Sequence, residues 1–331
     1  MVAAQTNNMK TTKMLVTRKV SIGQRDERGM TALMHAAQQG HIDPVNLLVE
    51  KEKGLKDKSG WTALMHAAHE NHPEVVETLD PHERGNRNKN NHTALMIAAE
   101  NGSAEAASVL APHERGLTIN EGKTALIIAA EKGHAKAASV LAPYEKDLID
   151  SEGNTALILA AEAGHEAVVE VLDPTDDKGV TALMRAAERN DTLIARALIP
   201  IQKGRAASTG TALIQAAVCG HVTIVRLLMQ YEGGARNSCG ATALMRAASM
   251  NHIKVVQLLM ERESCMVDVC GVPTIIYAAY SGHLEIVKLL PGDESCTKDT
   301  SGMPAIMYAA VNNHVEIAEL LLKRGASARQ F

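Results

Sequence analysis

Apolar residues return along this chain in two alternating phases. Thr-Ala-Leu followed by Met or Ile begins at Thr31, Thr62, Thr93, Thr124, Thr155, Thr181, Thr211 and Thr242, and altered copies begin at Pro273 and Pro304. Successive starts lie 31, 31, 31, 31, 26, 30, 31, 31 and 31 residues apart, and a period held over ten copies marks a repeat architecture. Each start predicts a short helix. The Thr hydroxyl suits the free amides of a first turn, and Ala32 to Gln38 are helix formers with Leu33, Ala36 and Ala37 on one side. Nine residues after every start stands Gly or Asn, such as Gly40, Asn71 and Gly102, the residues that best tolerate a left-handed C-cap. A His usually follows. A second apolar run at helical spacing, as in Ile253-Lys-Val255-Val256-Gln-Leu258-Leu259, predicts a second helix. Pro81, Pro112, Pro143, Pro174, Pro200 and Pro291 are expected to stop that helix in their copies. A polar turn such as Asp57-Lys-Ser-Gly60 then returns the chain.

The pattern breaks at three places. Copy five loses five residues and runs Leu172-Asp-Pro-Thr-Asp-Asp-Lys-Gly179 into the next start, which predicts an interrupted finger. Residues 1–12 read as a disordered tail. Residues 13–30 read as a degenerate N-terminal capping half-repeat, with Met14 to Val20 as a lone second helix. Residues 31–331 then form ten repeats as one solenoid, irregular at 172–180. The stretch 1–24 has four basic residues and no acidic one, a faint hint of a transit peptide, and a flexible tail before a cap is the preferred reading.

These residues resemble ankyrin repeats, whose pattern is Asp-x-x-Gly-x-Thr-Pro-Leu-His-x-Ala-Ala-x-x-Gly-His followed by a Leu-Leu helix. The resemblance spans residues 26 to about 327. Met or Ile replaces the usual His after Leu, Ala replaces Pro in eight copies, and the period is 31 where about 33 is usual. With Leu110-Ala-Pro-His-Glu-Arg-Gly116 and Leu141-Ala-Pro-Tyr-Glu-Lys146, the chain is similar to the protist ankyrin-only proteins of the protein 21.1 family. The resemblance implies an all-α ankyrin-repeat solenoid of about ten helix-turn-helix repeats with short hairpin-like loops. It also implies a non-enzymatic scaffold or adaptor that binds proteins through its concave face. Related repeats accompany Nek-type kinase domains, so a regulatory arm of a kinase or cytoskeletal complex is the alternative. No kinase motif is present here.

Composition narrows the picture. Hydrophobic residues make up 46% but aromatics only 2%, so the core packs closely spaced helices with Ala, Leu, Val, Ile and fifteen Met. A charged fraction of 22% and a net charge of −4 exclude a disordered polyelectrolyte and a generally basic nucleic-acid binder. No run of 18 apolar residues occurs, so no membrane span is expected. Phosphate loop, dinucleotide fingerprint and nucleophile elbow are all missing, so neither enzymatic activity nor a cofactor is expected. Cys219, Cys239, Cys265, Cys270 and Cys296 lie in copies seven to ten, with Cys239/Cys270 and Cys265/Cys296 at equivalent places. An odd count without Cys-x-x-Cys favours reduced thiols and a cytoplasmic protein, with cytoskeletal association suggested by the family likeness. The recurrent His invites a metal reading, but its fixed place after the turn, with the family likeness, implies a backbone-bonding role. His35, His66 and His69 read as surface positions without a fourth ligand. An enzyme or metal protein using the His or Cys series is the most distant alternative.

The variable positions carry the candidate function. Seven residues after the start, Glu100, Glu131, Glu162 and Glu188 recur in four consecutive copies, about 10 Å apart on neighbouring helices. Such a ladder would attract a basic segment; the competing reading is a solvated helix face. Four residues after the start stand Arg185, Gln215, Arg246, Tyr277 and Tyr308, and with Val218, Met250, Val272, Tyr280, Met303 and Val311 they give the later copies an apolar and aromatic inner face. Tyr and Met suit adaptable binding surfaces, and packing between repeats is the equal alternative. Trp61 is a loop-tip candidate of the same kind. The expected partner is a protein with a basic stretch and an apolar anchor, met by a monomer; nucleic acid and membrane are not expected.

Overall fold

The computed structural model describes residues 1–20, 22–291 and 297–328, with side chains to residue 325. Among them are twenty-two helices and only isolated β-bridges, so the fold is the expected all-α stack of helix pairs. The chain divides into two compact units, Met1–Asp173 and Pro174–Phe331, where one continuous solenoid was expected.

In the first unit, the short helices α1 (Val2–Gln5), α3 (Ala32–Gln38), α5 (Ala63–His69), α7 (Ala94–Asn101), α9 (Ala125–Lys132) and α11 (Ala156–Glu162) alternate with α2 (Met9–Thr17), α4 (Ile42–Glu52), α6 (Pro73–Glu83), α8 (Ala104–Glu114), α10 (Ala135–Glu145) and α12 (Glu166–Leu172). In the second unit, α13 (Ala182–Arg189), α15 (Ala212–Cys219), α17 (Ala243–Ser249), α19 (Thr274–Tyr280) and α21 (Ala305–Val311) alternate with α14 (Thr192–Gln202), α16 (Val222–Glu232), α18 (Ile253–Glu263), α20 (Leu284–Leu289) and α22 (Val315–Ala328). The boundary falls where α12 stops at Leu172, four residues short of the eleven-residue helices α4, α6, α8 and α10.

Thr starts the first helices for the expected reason. Thr31, Thr62, Thr93, Thr124, Thr155, Thr181 and Thr242 each accept the amide three residues on. Leu33 and its counterparts Leu64, Leu95 and Leu126 are buried, as are the paired alanines, so neighbouring first helices meet through small and aliphatic side chains.

Two ladders of polar contacts join neighbouring pairs within each unit. In one, the His after the turn donates from Nε2 to a carbonyl of the preceding first helix: His72 to Gln38, His134 to Glu100 and His165 to Glu131 in the first unit, His221 to Glu188, His252 to Val218, His283 to Ser249 and His314 to Tyr280 in the second, all at 2.8–3.1 Å. Where the first helix of the repeat before ends in Gly, the ring packs directly on it: a Cβ on Gly102 would lie 2.7 Å from Nδ1 of His134.

The other ladder is carboxylate. The last residue of the second helix in most repeats is a buried Glu that accepts two amides. Glu52 takes Leu33 and Gly23, Glu83 takes Leu64 and Gly54, Glu114 takes Leu95 and Gly85, and Glu145 takes Leu126 and Gly116, all at 2.7–2.9 Å. Glu232 holds Leu213 and Gly204, and Glu263 holds Leu244 and Gly234, at 2.8–2.9 Å. Each carboxylate therefore joins its own two helices to the loop of the preceding repeat. Repeat six has Gln202 instead, which accepts from Leu183 while its buried Nε2 meets no acceptor among the described residues.

Three expectations are corrected. Residues 1–12 are helical rather than disordered, because α1 and α2 pair with each other and pack on α3 and α4. His41 donates to Gln5 O at 3.0 Å, as His72 does to Gln38, so a whole helix pair replaces the expected half-repeat. Pro81, Pro112, Pro143 and Pro200 lie inside α6, α8, α10 and α14, while Pro174 and Pro291 do follow helix ends. A proline near a helix end removes only its own amide. The amide three residues later still reaches the carbonyl just before the ring, as Arg84 N does to Asp80 O at 3.0 Å. Finally, His35 and His66 are buried rather than on the surface.

Glu83 tests the carboxylate ladder. Its replacement by Ala strands the buried Leu64 amide and frees that of Gly54, and is expected to cost about 3 kcal/mol in denaturant unfolding, with Glu83→Gln costing less. Burial raises the Glu83 carboxyl above its ordinary 4.5, against the two amides. A raised folded value means a contribution to stability that is complete below pH 4.5 and is lost as pH climbs through the folded value. The stability of wild type relative to Glu83→Gln should therefore rise on acidification toward pH 4.5.

Candidate partner-binding surface

The inner face of each unit is lined by the first helices and the polar turns, or fingers, that precede them. Its surface is set by a pair of positions within each repeat: the residue just before the start and the residue seven after it. Trp61 stacks on His69 with ring centroids 5.5 Å apart, His92 Nδ1 lies 3.5 Å from Glu100, and Lys123 Nζ lies 2.9 Å from Glu131. Asn154 and Glu162 occupy these two places in repeat five, Val180 and Glu188 in repeat six.

The expected acidic ladder is accordingly uneven. Glu100 faces His92 and, at 3.9 Å, Lys132; Glu131 faces Lys123, whose ammonium is held above its ordinary value by hydrogen bonds to Glu131 and then Glu121. Among the described residues no ion pair reaches the exposed carboxylates of Glu162 or Glu188, whose counterparts across the pair are uncharged. Glu188 belongs to the second unit and the other three to the first. The residue before the start, which sequence reasoning singled out only at Trp61, Val272 and Met303, decides which Glu has an ionic neighbour. Its signal was the change from His92 and Lys123 to Asn154 and Val180 at one register.

Trp61 is half-buried. Its ring lies 5.1 Å from that of His66 as well as against His69, and it borders an open depression of about 370 Å³ with Glu27, Arg28, Met30 and Lys58. Burial lowers the His66 imidazole against the pull of Asp57, to which Nε2 donates at 3.1 Å.

The tyrosines of the second unit fall into two kinds. Tyr277 donates to Asp268 Oδ2 and Tyr308 to Asp299 Oδ2, both at 2.7 Å. Those are the places of His35 on Asp26, at 2.9 Å, and His66 on Asp57. Both rings thus brace their finger to the first helix and are half-buried. Arg246 is half-buried near enough to Tyr277 for its charge to ease that phenol's ionisation. Tyr280 has no such brace and is 57% exposed, with Val269 at 72%, Met303 at 43% and Val311 at 81%. Together with Met250 these residues make the inner face of repeats eight to ten apolar.

Cys219, Cys239, Cys265 and Cys270 are free thiols, and Cys296 lies outside the described residues. Burial, with Glu188 second, pushes the Cys219 thiol up. No group of three or more His, Cys, Asp or Glu among the described residues is arranged to hold a metal.

The tyrosine braces set an alkaline signature. Burial, then Asp268, raises Tyr277 above its ordinary 10.0, and the bond to Asp299 raises Tyr308. In an ultraviolet pH titration these two phenols should ionise above the ordinary 10.0, and Asp268→Asn should bring Tyr277 down toward that value. Because the folded values are raised, the braces support stability below pH 10.0 and lose it as pH climbs further.

The model for ankyrin repeats in three copies matches residues 1–86, 80–148, 95–178, 141–209, 183–270 and 263–330. None of the curated proteins matches the chain. No helix among the described residues is long and apolar enough to cross a membrane. With a helix-pair repeat, a structural His after each turn and family matches along nearly the whole chain, the protein belongs to the ankyrin-repeat family.

Proposed function

We propose that this protein is a non-enzymatic scaffold or adaptor that binds a protein partner through its inner, concave ankyrin face, with an apolar anchor and a basic segment on the partner. The observation that carries the reading is the exposed group Met250, Val269, Tyr280, Met303 and Val311 on neighbouring repeats of a chain with only seven aromatic residues. Tyr and Met at such a surface supply contact area that adapts to a partner. The basic segment is matched by the bare carboxylates of Glu162 and Glu188, and by charge: residues 1–173 hold 24 acidic against 18 basic residues, while 174–331 hold 14 against 16. Ankyrin repeats act generally through protein contacts, and the acidic inner positions disfavour nucleic acid. Within the family, the wording of the repeats favours the protist protein 21.1 type, with a monomer acting in the cytoplasm, on or near the cytoskeleton.

Tyr280→Ala with Val311→Ser should weaken capture of a defined partner about tenfold, the effect of losing one hot spot. Glu162→Lys with Glu188→Lys should weaken it further at low salt than at high salt. Tyr277→Phe with Tyr308→Phe, which keeps both rings, is the control and should bind as wild type. Unchanged capture by the first two variants, each shown to fold by circular dichroism, would place the binding site elsewhere.

A further inference from the structure

The fingers of the first three repeats are basic, whereas the two that follow are acidic. Residues 25–28, 56–58 and 87–90 hold six cations to three anions, while the charged residues of 118–121 and 149–152 are Glu121, Asp150 and Glu152. Those cations fall into two sets. Arg25, Lys56 and Arg87, each six residues before its start, lace the fingers together: Arg25 Nη1 donates to Lys56 O, Lys56 Nζ to Arg87 O at 2.8 Å, and Arg87 Nη1 to Thr118 O at 2.9 Å. Arg28, Lys58 and Lys89 stand at the exposed tips, where no side-chain hydrogen bond or ion pair engages them among the described residues. The backbone sets these tips in one row, since Lys58 N donates to Arg28 O at 3.0 Å and Lys89 N to Ser59 O at 3.2 Å. Asp26 and Asp57 are each turned onto two amides of their own turn and a histidine, which leaves Glu27 as the exposed anion of the three fingers.

Trp61 lies beside this row. It shares the open depression with Arg28 and Lys58, and its indole N–H meets no acceptor among the described residues. We propose that the fingertips of repeats one to three are a second docking surface, which takes an acidic segment of a partner protein, its carboxylates on Arg28, Lys58 and Lys89 and an apolar side chain against Trp61. Charge complementarity selects that occupant, and Trp and Arg are the residues that most often anchor such contacts. Lacing by Arg25, Lys56 and Arg87 holds the tips in place before the segment arrives, which lowers the ordering cost of binding. A nucleic acid is also negative, but its continuous phosphate backbone would meet Glu27 at the tips and Glu100 on the inner face, whereas a peptide carries its charge only where a cation waits. This surface shares no residue with the one assigned to Tyr280, Val311, Glu162 and Glu188, so either can fail alone.

The sole tryptophan makes the test direct, because it stands at the site. A short peptide of glutamates around a central leucine should bind the full chain at low salt, change Trp61 emission on binding, and leave as salt rises. The same peptide built with lysines should leave Trp61 emission unchanged. Lys58→Glu with Lys89→Glu should weaken binding of the acidic peptide about tenfold. Trp61→Ala, followed by the anisotropy of a labelled peptide, should weaken it by a similar factor. Tyr280→Ala with Val311→Ser should bind it as wild type does. Each variant is first shown to fold by circular dichroism. No binding of the acidic peptide overturns the proposal, as does binding that leaves Trp61 emission or the Lys58→Glu/Lys89→Glu affinity unchanged. A single-stranded oligonucleotide that changes Trp61 emission at equal or lower concentration overturns the choice of an acidic protein segment.

Discussion

A buried carboxylate at the end of most second helices is the contact that sets the register of the repeats. A repeat of this size cannot bury its apolar face alone and must borrow a neighbour. Apolar contact is non-directional, so it brings helix pairs together without fixing their register. The two oxygens of Glu52, Glu83, Glu114, Glu145, Glu232 and Glu263 supply that register, because each meets one amide of its own repeat and one of the repeat before. The same bonds explain why helices such as α6 continue past an internal proline: their last residue is held from outside the helix.

Once register is fixed, position along the repeat decides what a residue can do. The residue four after the start braces the finger, whether it is His35, His66, Tyr277 or Tyr308. The residue before the start faces the residue seven after it, which neutralises Glu131 with Lys123 and leaves Glu162 bare. Chemical type and surface exposure therefore part company: Tyr277 and Tyr280 lie three residues apart, the first half-buried on Asp268 and the second exposed.

Much of the fold was legible along the chain. A period of 31, Thr at the helix start and Gly or Asn at its end are local signals, set by cap and turn chemistry that acts over a few residues. The His ladder could be anticipated from its fixed place after the turn. The carboxylate ladder was equally periodic, since Glu52, Glu83, Glu114 and Glu145 all stand twenty-one residues after their Thr. Yet a Glu near a helix end ordinarily reads as solvated, and only its burial between two repeats shows otherwise.

By itself, then, the sequence determined the repeat, its helix pairs and its irregular fifth copy, because each follows from residue types at short separation. Tertiary structure alone decided that residues 1–12 fold, that two tyrosines serve as braces, that Glu162 and Glu188 stand unpaired, and that the array divides near Asp173. Those outcomes depend on which side chain an adjoining element places within hydrogen-bond reach. Residues about thirty positions apart in the chain become neighbours only when one repeat is laid against the next.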